Sequence, residues 1–141
     1  METKRTARSE AVKCLDTDFL VALLRGKNDA ESKMEALDAE ERNATTTINA
    51  FELFFGAHKS TKRAKNLKEV FKLLDRLNVF DFTLEASEVA GEITANLEEV
   101  GKMLDFRDIM IASIVKCHGM ILVTRNIDHF KRRPGLQIEM W

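Results

Sequence analysis

Five short runs of apolar or β-branched residues, Val12–Leu15, Ala44–Thr47, Val79–Phe82, Met120–Thr124 and Leu136–Ile138, are spaced along the chain with longer stretches of helical periodicity between most of them. Strands separated in this way cannot close as hairpins. They need helical crossovers, which place neighbouring strands parallel and cover the sheet on both faces. The run "MILVT" is continuous rather than alternating, as a strand buried on both sides is. The fold class is therefore α/β.

The intervening segments support this reading. From Thr17 to Leu24, Leu20, Leu23 and Leu24 share one side of a helix that Gly26 closes, and a charged helix follows over Asp29–Glu40. Thr47 or Asn49 is placed to cap a helix running through "AFELFFGAHK" towards Lys59. Residues 61–76 carry Leu67, Val70, Phe71 and Leu74 at helical spacing, and Leu84–Val100 repeats apolar residues at three and four. "DFRDIMIASIVKCHG" reads as a helix that is apolar almost all round and ends at Gly119, and Pro134 and Gly135 mark a turn before the last strand. One domain over 11–141 is expected, preceded by a basic, disordered arm at 1–10.

Composition removes several classes. Lys and Arg number 22 against 23 Asp and Glu, so the net charge of -1 gives no protein-wide attraction to nucleic acid, and such binding must rest on a local patch. Cys14 and Cys117 lie apart in apolar sequence, without zinc-site or disulfide spacing, and read as reduced core residues. No apolar run of signal-peptide length follows the start, and none approaches the about 18 residues of a membrane span, so a cytoplasmic protein is expected.

Ligand sites in open parallel sheets lie beyond the carboxyl ends of the strands. Asp16 and Asp18 follow the first run, and Asn126 and Asp128 follow "MILVT". Glu52 and Asp108 are embedded in strongly apolar helical sequence, where a carboxylate is costly unless paired, hydrogen-bonded or bound to metal. Each has a structural alternative: Glu52 as the third residue of a capping box headed by Asn49, and Asp108 paired with Arg107 or Lys102. If the acids converge, two carboxylates about 4 Å apart repel by roughly 4 kcal/mol at an effective dielectric of 20, and a cation must sit among them. All-oxygen donors without a useful histidine or cysteine point to Mg²⁺ or Mn²⁺. His58, His118 and His129 read as surface or capping residues.

Taken in order, "LDTDFLVALLRG", "TTTINAFELFFGA", "DFRDIMIASIVKCHGMILVTRNIDHF" and "RPGLQIEMW" resemble the sequence blocks of PIN-domain ribonucleases, in particular the VapC-type toxins of toxin–antitoxin pairs. The resemblance spans Val12 to Trp141. It implies a three-layer sandwich with a mostly parallel central sheet of four to five strands, and metal-dependent hydrolysis of RNA phosphodiester bonds. By the same resemblance Asp16, Glu52 and Asp108 hold Mg²⁺, with Mn²⁺ as a substitute, and Asp128 is the candidate for a fourth acidic position where Asn126 stands in place of the usual Asp. Thr17, Asp18, Thr124 and Asn126 are expected to support these groups. Arg125, Lys131, Arg132 and Arg133 form a candidate RNA-binding rim. Phe51, Phe54 and Phe55 surround Glu52 with more apolar surface than one core face needs, which suggests a subunit interface; the resemblance implies a homodimer and a cognate VapB-type antitoxin.

Three other readings compete. A PIN-domain nuclease of RNA processing would share the site without a toxin role. A catalytically degenerate interaction protein is motivated by Asn126 alone, and a phosphoacceptor receiver domain would not place two key acids, Glu52 and Asp108, in helical segments.

Overall fold

The computed structural model describes residues 11–40, 42–102, 104–130 and 135–141. The expected arm at 1–10 and the Lys131–Arg133 part of the expected RNA rim lie outside the described residues. Five strands form one sheet: β1 (Lys13–Leu15), β2 (Asn43–Thr46), β3 (Asn78–Phe80), β4 (Ile121–Val123) and β5 (Gln137–Glu139). Their order is β3-β2-β1-β4-β5 and every pairing is parallel. The expected mostly parallel sheet is thus fully parallel.

Helices α1 (Thr17–Leu24), α2 (Asn28–Asp38), α3 (Thr47–Lys59) and α4 (Arg63–Leu74) cover one face, and α5 (Leu84–Glu99), α6 (Phe106–Cys117) and the short α7 (Ile127–Phe130) the other. The sheet's pleat sorts the core between these layers. Leu15 and Val123 join Phe19, Leu20, Met34, Leu37, Leu53 and Val70 on the first side, whereas Cys14, Ala44 and Leu122 join Ile111, Ile114, Val115 and Phe130 on the second. Successive strand residues point to opposite faces, so an apolar run without alternation is what a three-layer sandwich requires. Phe19 and Phe130 are fully buried, and truncating either to alanine costs about 3–5 kcal/mol.

The element boundaries differ from the sequence reading at one instructive place. β2 begins at Asn43, whose buried amide donates to Leu37 O at 3.1 Å, and it ends one residue before Thr47. Thr46, rather than Thr47 or Asn49, caps α3: its hydroxyl accepts from the backbone N–H of Ile48 and Asn49, both at 3.1 Å. A threonine that closes a strand and opens a helix serves both roles, so propensity alone blurs the junction. Gly26 and Gly119 end α1 and α6 with φ of 69° and 61°, the left-handed conformation a helix stop demands.

Because all strands run one way, their carboxyl ends share an edge. The chain runs outward from β1 to β2 on one side and returns to β4 on the other, so the crevice beyond β1 and β4 is the switch point where ligands bind in such sheets.

Candidate active site

Asp16 stands at that crevice. It is the residue after β1 and the N-cap of α1, with its backbone N–H donating to Val123 O at 3.0 Å and its Oδ1 accepting from Thr17 N at 2.9 Å. Only 4% of it is exposed. Asn49 Nδ2 donates to Oδ1 at 3.1 Å and Thr124 Oγ1 to Oδ2 at 2.6 Å. All of these donors are neutral. Burial, reinforced by nearby Asp18 and opposed by the Thr124, Thr17 and Asn49 bonds, pushes the Asp16 carboxyl from its ordinary 3.8 to about 6.

Glu52 reaches the same place from the second turn of α3. Thr17 Oγ1 donates to Glu52 Oε1 at 2.6 Å and accepts from Asn49 Nδ2 at 2.9 Å, so Asn49 and Thr17 link the two acids. Asn49 and Glu52 are three residues apart and share a helix face. The capping-box alternative for Glu52 is not what forms: the cap is Thr46, and it is Asn49 whose side chain it engages, at 2.7 Å. Arg107 Nη1 lies 3.6 Å from Glu52 Oε2, while its Nε donates to Asp105, the N-cap of α6.

Asp108 sits in the first turn of α6, half-buried, and burial raises its carboxyl pKa against the pull of His129. Its partner is neither Arg107 nor Lys102, as the sequence suggested, but His129 of α7, whose Nδ1 is 3.2 Å from Asp108 Oδ2. His129 is exposed, as its surface reading expects, and it stands beside Asp108. Asp128 is exposed on the first turn of α7. Asn126 is exposed as well and contributes through its backbone, its N–H donating to Thr124 Oγ1 at 3.0 Å and its carbonyl accepting from His129 N at 3.1 Å.

Asp18 forms a second network at the edge of the crevice. It accepts from Arg125 N at 2.9 Å and from Trp141 Nε1 at 3.3 Å, and Thr124 Oγ1 lies 3.5 Å away. Arg125, expected on an RNA rim, has its guanidinium committed within the protein: Nε donates to Trp141 O at 2.8 Å, Nη2 pairs with Asp29, and the group lies 3.6 Å from the Trp141 ring centroid. Trp141 also meets Phe19 edge-on at 5.0 Å. Sequence reasoning named neither Trp141 nor Asn49 as a site residue. Only the spacing of Asn49 to Glu52 carried a signal.

Among the described residues, no three Asp, Glu, His or Cys side chains are close enough together to form a ready-made metal cage. The donor chemistry nonetheless fits a hard divalent cation. Glu52 and Asp108 have Arg107 and His129 beside them, but Asp16 is a buried carboxylate held by neutral donors with another acid nearby. A cation supplied from outside is what that arrangement lacks.

Comparison with known proteins agrees with this fold. A family model described as the PIN domain matches residues 13–136. Ribonuclease VapC2 of Rickettsia felis is 33% identical over 128 residues, 90% of this chain and 96% of that protein. The tRNA(fMet)-specific endonuclease VapC of Salmonella typhimurium is 32% identical over 127 residues, with 90% and 96% covered. Among solved structures, VapBC2 from Rickettsia felis bound to a promoter DNA fragment superposes with a TM-score of 0.83 at 32% identity, covering 92% of this chain and 98% of that one. DNA-bound VapBC from Salmonella typhimurium gives 0.82 at 32% identity, covering 93% and 98%.

Proposed function

This chain belongs to the PIN-domain family, and on that footing we infer that it is a VapC-type endoribonuclease, the toxin of a toxin–antitoxin pair restrained by a VapB-type antitoxin. It is a divalent-metal-dependent hydrolase of RNA. The observation that carries the assignment is Asp16, a buried acid at the sheet's switch point with neutral hydrogen-bond donors and no countercharge among the described residues. The helix cap and the neutral donors orient this acid but leave its buried charge without a counterion, which a bound cation would supply.

We assign the metal to Asp16, Glu52 and Asp108, with Mg²⁺ as the resident ion and Mn²⁺ able to replace it; Asp128 is the candidate fourth acid. The ion, when bound, lowers the pKa of a water and neutralises charge on the phosphodiester. The chain's own residues prepare that step. Thr17, Asn49 and Thr124 fix the orientation of Asp16 and Glu52 by hydrogen bonds that need no rearrangement. Arg107 brings a cation to the rim beside Glu52, where RNA phosphates arrive. Asp18 holds the loop after β4 through the Arg125 backbone, which fixes Thr124 in turn.

The exposed rings of Phe51 and Phe55 stack at 6.4 Å on the outer face of α3 and mark the face of a homodimer, whereas Phe54 is half-buried against the core, with the exposed Phe71 ring beside it. No helix among the described residues is long and apolar enough to cross a membrane, and the cytoplasm is the proposed location. The decisive test is cleavage of a structured RNA pool by purified protein in Mg²⁺, beside an EDTA control and a folded Asp108→Asn variant. Cutting that vanishes in both controls is expected. A folded wild type that neither cuts RNA nor binds a divalent ion would overturn the assignment in favour of an interaction protein.

A further inference from the structure

We propose that the groove between α1, α3 and α4, which opens at Glu52, is an RNA subsite that seats a nucleotide flanking the scissile phosphate. This inference rests on the ribonuclease reading above and adds to it where the substrate strand lies. The groove has a volume of about 440 Å³, enough for one nucleotide, and Glu52 is part of its wall. It is therefore continuous with the candidate active site.

Its floor and rim suit a nucleotide. Leu53, Ala57 and Val70 give a buried apolar floor for a base, and Ser60 and Asn66, joined by a 2.8 Å hydrogen bond, offer polar groups to its edge. Gly56 keeps the floor open: a Cβ built there meets nothing within 4 Å. Besides Glu52 the lining holds one acid, Glu69, which also borders the neighbouring groove, and Arg25 and Lys65 stand on the walls, both exposed. Among the described residues neither has an ion-pair partner within 4.0 Å, whereas Arg76, Arg107 and Arg125 are all paired with acids.

The surrounding charge selects the occupant. From Lys59 to Lys72 the chain carries Lys59, Lys62, Arg63, Lys65, Lys68 and Lys72 against Glu69 alone, in a protein of net charge -1. A polyanion entering along α4 is steered to the groove and then to the acids that hold metal. A larger groove of about 560 Å³ between α1, α2 and α4 contrasts with it. That groove is rimmed by Glu31, Glu35, Asp38 and Glu69 against Lys72 and Arg76, the arginine paired with Asp38, and it holds none of the candidate catalytic acids, so its excess of acids disfavours RNA.

The test uses the full chain and a fluorescein-labelled ten-nucleotide RNA of random sequence, with binding read by anisotropy in EDTA so that no cleavage intervenes. The variants are Gly56→Leu, which plugs the groove while improving helix propensity, and the double variant Arg25→Gln/Lys65→Gln. Lys116→Gln at the opposite end of α6 serves as the control, and circular dichroism confirms folding of each. Both groove variants are expected to raise Kd about tenfold, and the double variant to flatten the salt dependence of log K by about 1.4, the contribution of two phosphates on a single strand. In Mg²⁺, KM is expected to rise by more than kcat falls. Variants that bind RNA within twofold of wild type would overturn the proposal, while cleavage by wild type and its loss in Asp108→Asn would leave the nuclease reading standing. Variants that lose affinity for the antitoxin but keep it for RNA would assign the groove to the partner protein instead. Wild type that neither binds nor cuts RNA would overturn both.

Discussion

Replacing Asp16 by asparagine should abolish cleavage and at the same time make the metal-free protein more stable. Burial raises the Asp16 carboxyl from 3.8 to about 6, and at about 1.4 kcal/mol per tenfold change in acidity constant its ionised form costs about 3 kcal/mol. The cost is absent below pH 3.8, where the carboxyl is protonated in both folded and unfolded chains, and complete above pH 6, where it is ionised in both. Stability from this group therefore falls as pH rises between those values. Asparagine fits the same contacts. Its Oδ1 accepts from Thr17 N and Asn49 Nδ2, and its Nδ2 donates to Thr124 Oγ1, whose own proton can turn to Asp18 at 3.5 Å. Urea unfolding in EDTA should show Asp16→Asn more stable than wild type by about 3 kcal/mol at pH 7.5, near 10 °C in Tm, and by about 1 kcal/mol at pH 4.5. Excess Mg²⁺ should narrow the gap by binding only wild type. A variant that is less stable at pH 7.5, or a difference that does not change with pH, would refute the reasoning.

Thr124→Val removes a bond that lowers the Asp16 pKa, so the acid limb of the pH–rate profile should move to higher pH and kcat fall about a hundredfold, measured by initial rates across pH 5–8. Phe51→Ser with Phe55→Ser should convert a dimer to a monomer in size-exclusion chromatography with light scattering, because both rings are more than half exposed. Glu139→Gln strands Lys33 and leaves Lys13 with Glu40 alone at 3.6 Å; against burial, which raises it, the two lysines hold the Glu139 carboxyl below its ordinary value, and the variant should cost about 1 kcal/mol at pH 7 in urea unfolding. That contribution is present above pH 4.5 and disappears as pH falls through the lowered pKa, opposite in sign to the Asp16 effect. Trp141→Phe keeps the ring over Arg125 and against Phe19 but removes the donor to Asp18, and should lower stability by about 1 kcal/mol by thermal melting.

Much of the fold was legible in the sequence because both faces of the sheet are covered, which makes β1 and β4 read as apolar runs and leaves helices as the only way between strands. The polar start of β2 was not, since the Asn43 amide is held by a carbonyl of α2 that periodicity cannot see. In the site, Asp16 was legible from its place at the end of a strand, and Glu52 and Asp108 from charge in apolar surroundings. His129 and Trp141 were not, because they act across the fold: His129 meets Asp108 and Trp141 meets Asp18, contacts separated in sequence by 21 and 123 residues. No local pattern encodes such pairs.

The strand that ends the sheet has a further consequence. β5 is hydrogen-bonded to β4 alone, and Trp141 beyond it supplies the carbonyl and the ring that hold Arg125 and the donor that holds Asp18. An edge strand is the first part of such a sheet to open in native-state fluctuations. Each opening releases the Asp18 network while the two buried cores stay intact. Amide hydrogen exchange should therefore report a sub-global unit made of β5 and the loop after β4, with an opening free energy well below that of the whole domain. The protein would then lose activity in mild denaturant before it loses structure, its turnover set by how often its last strand is zipped shut.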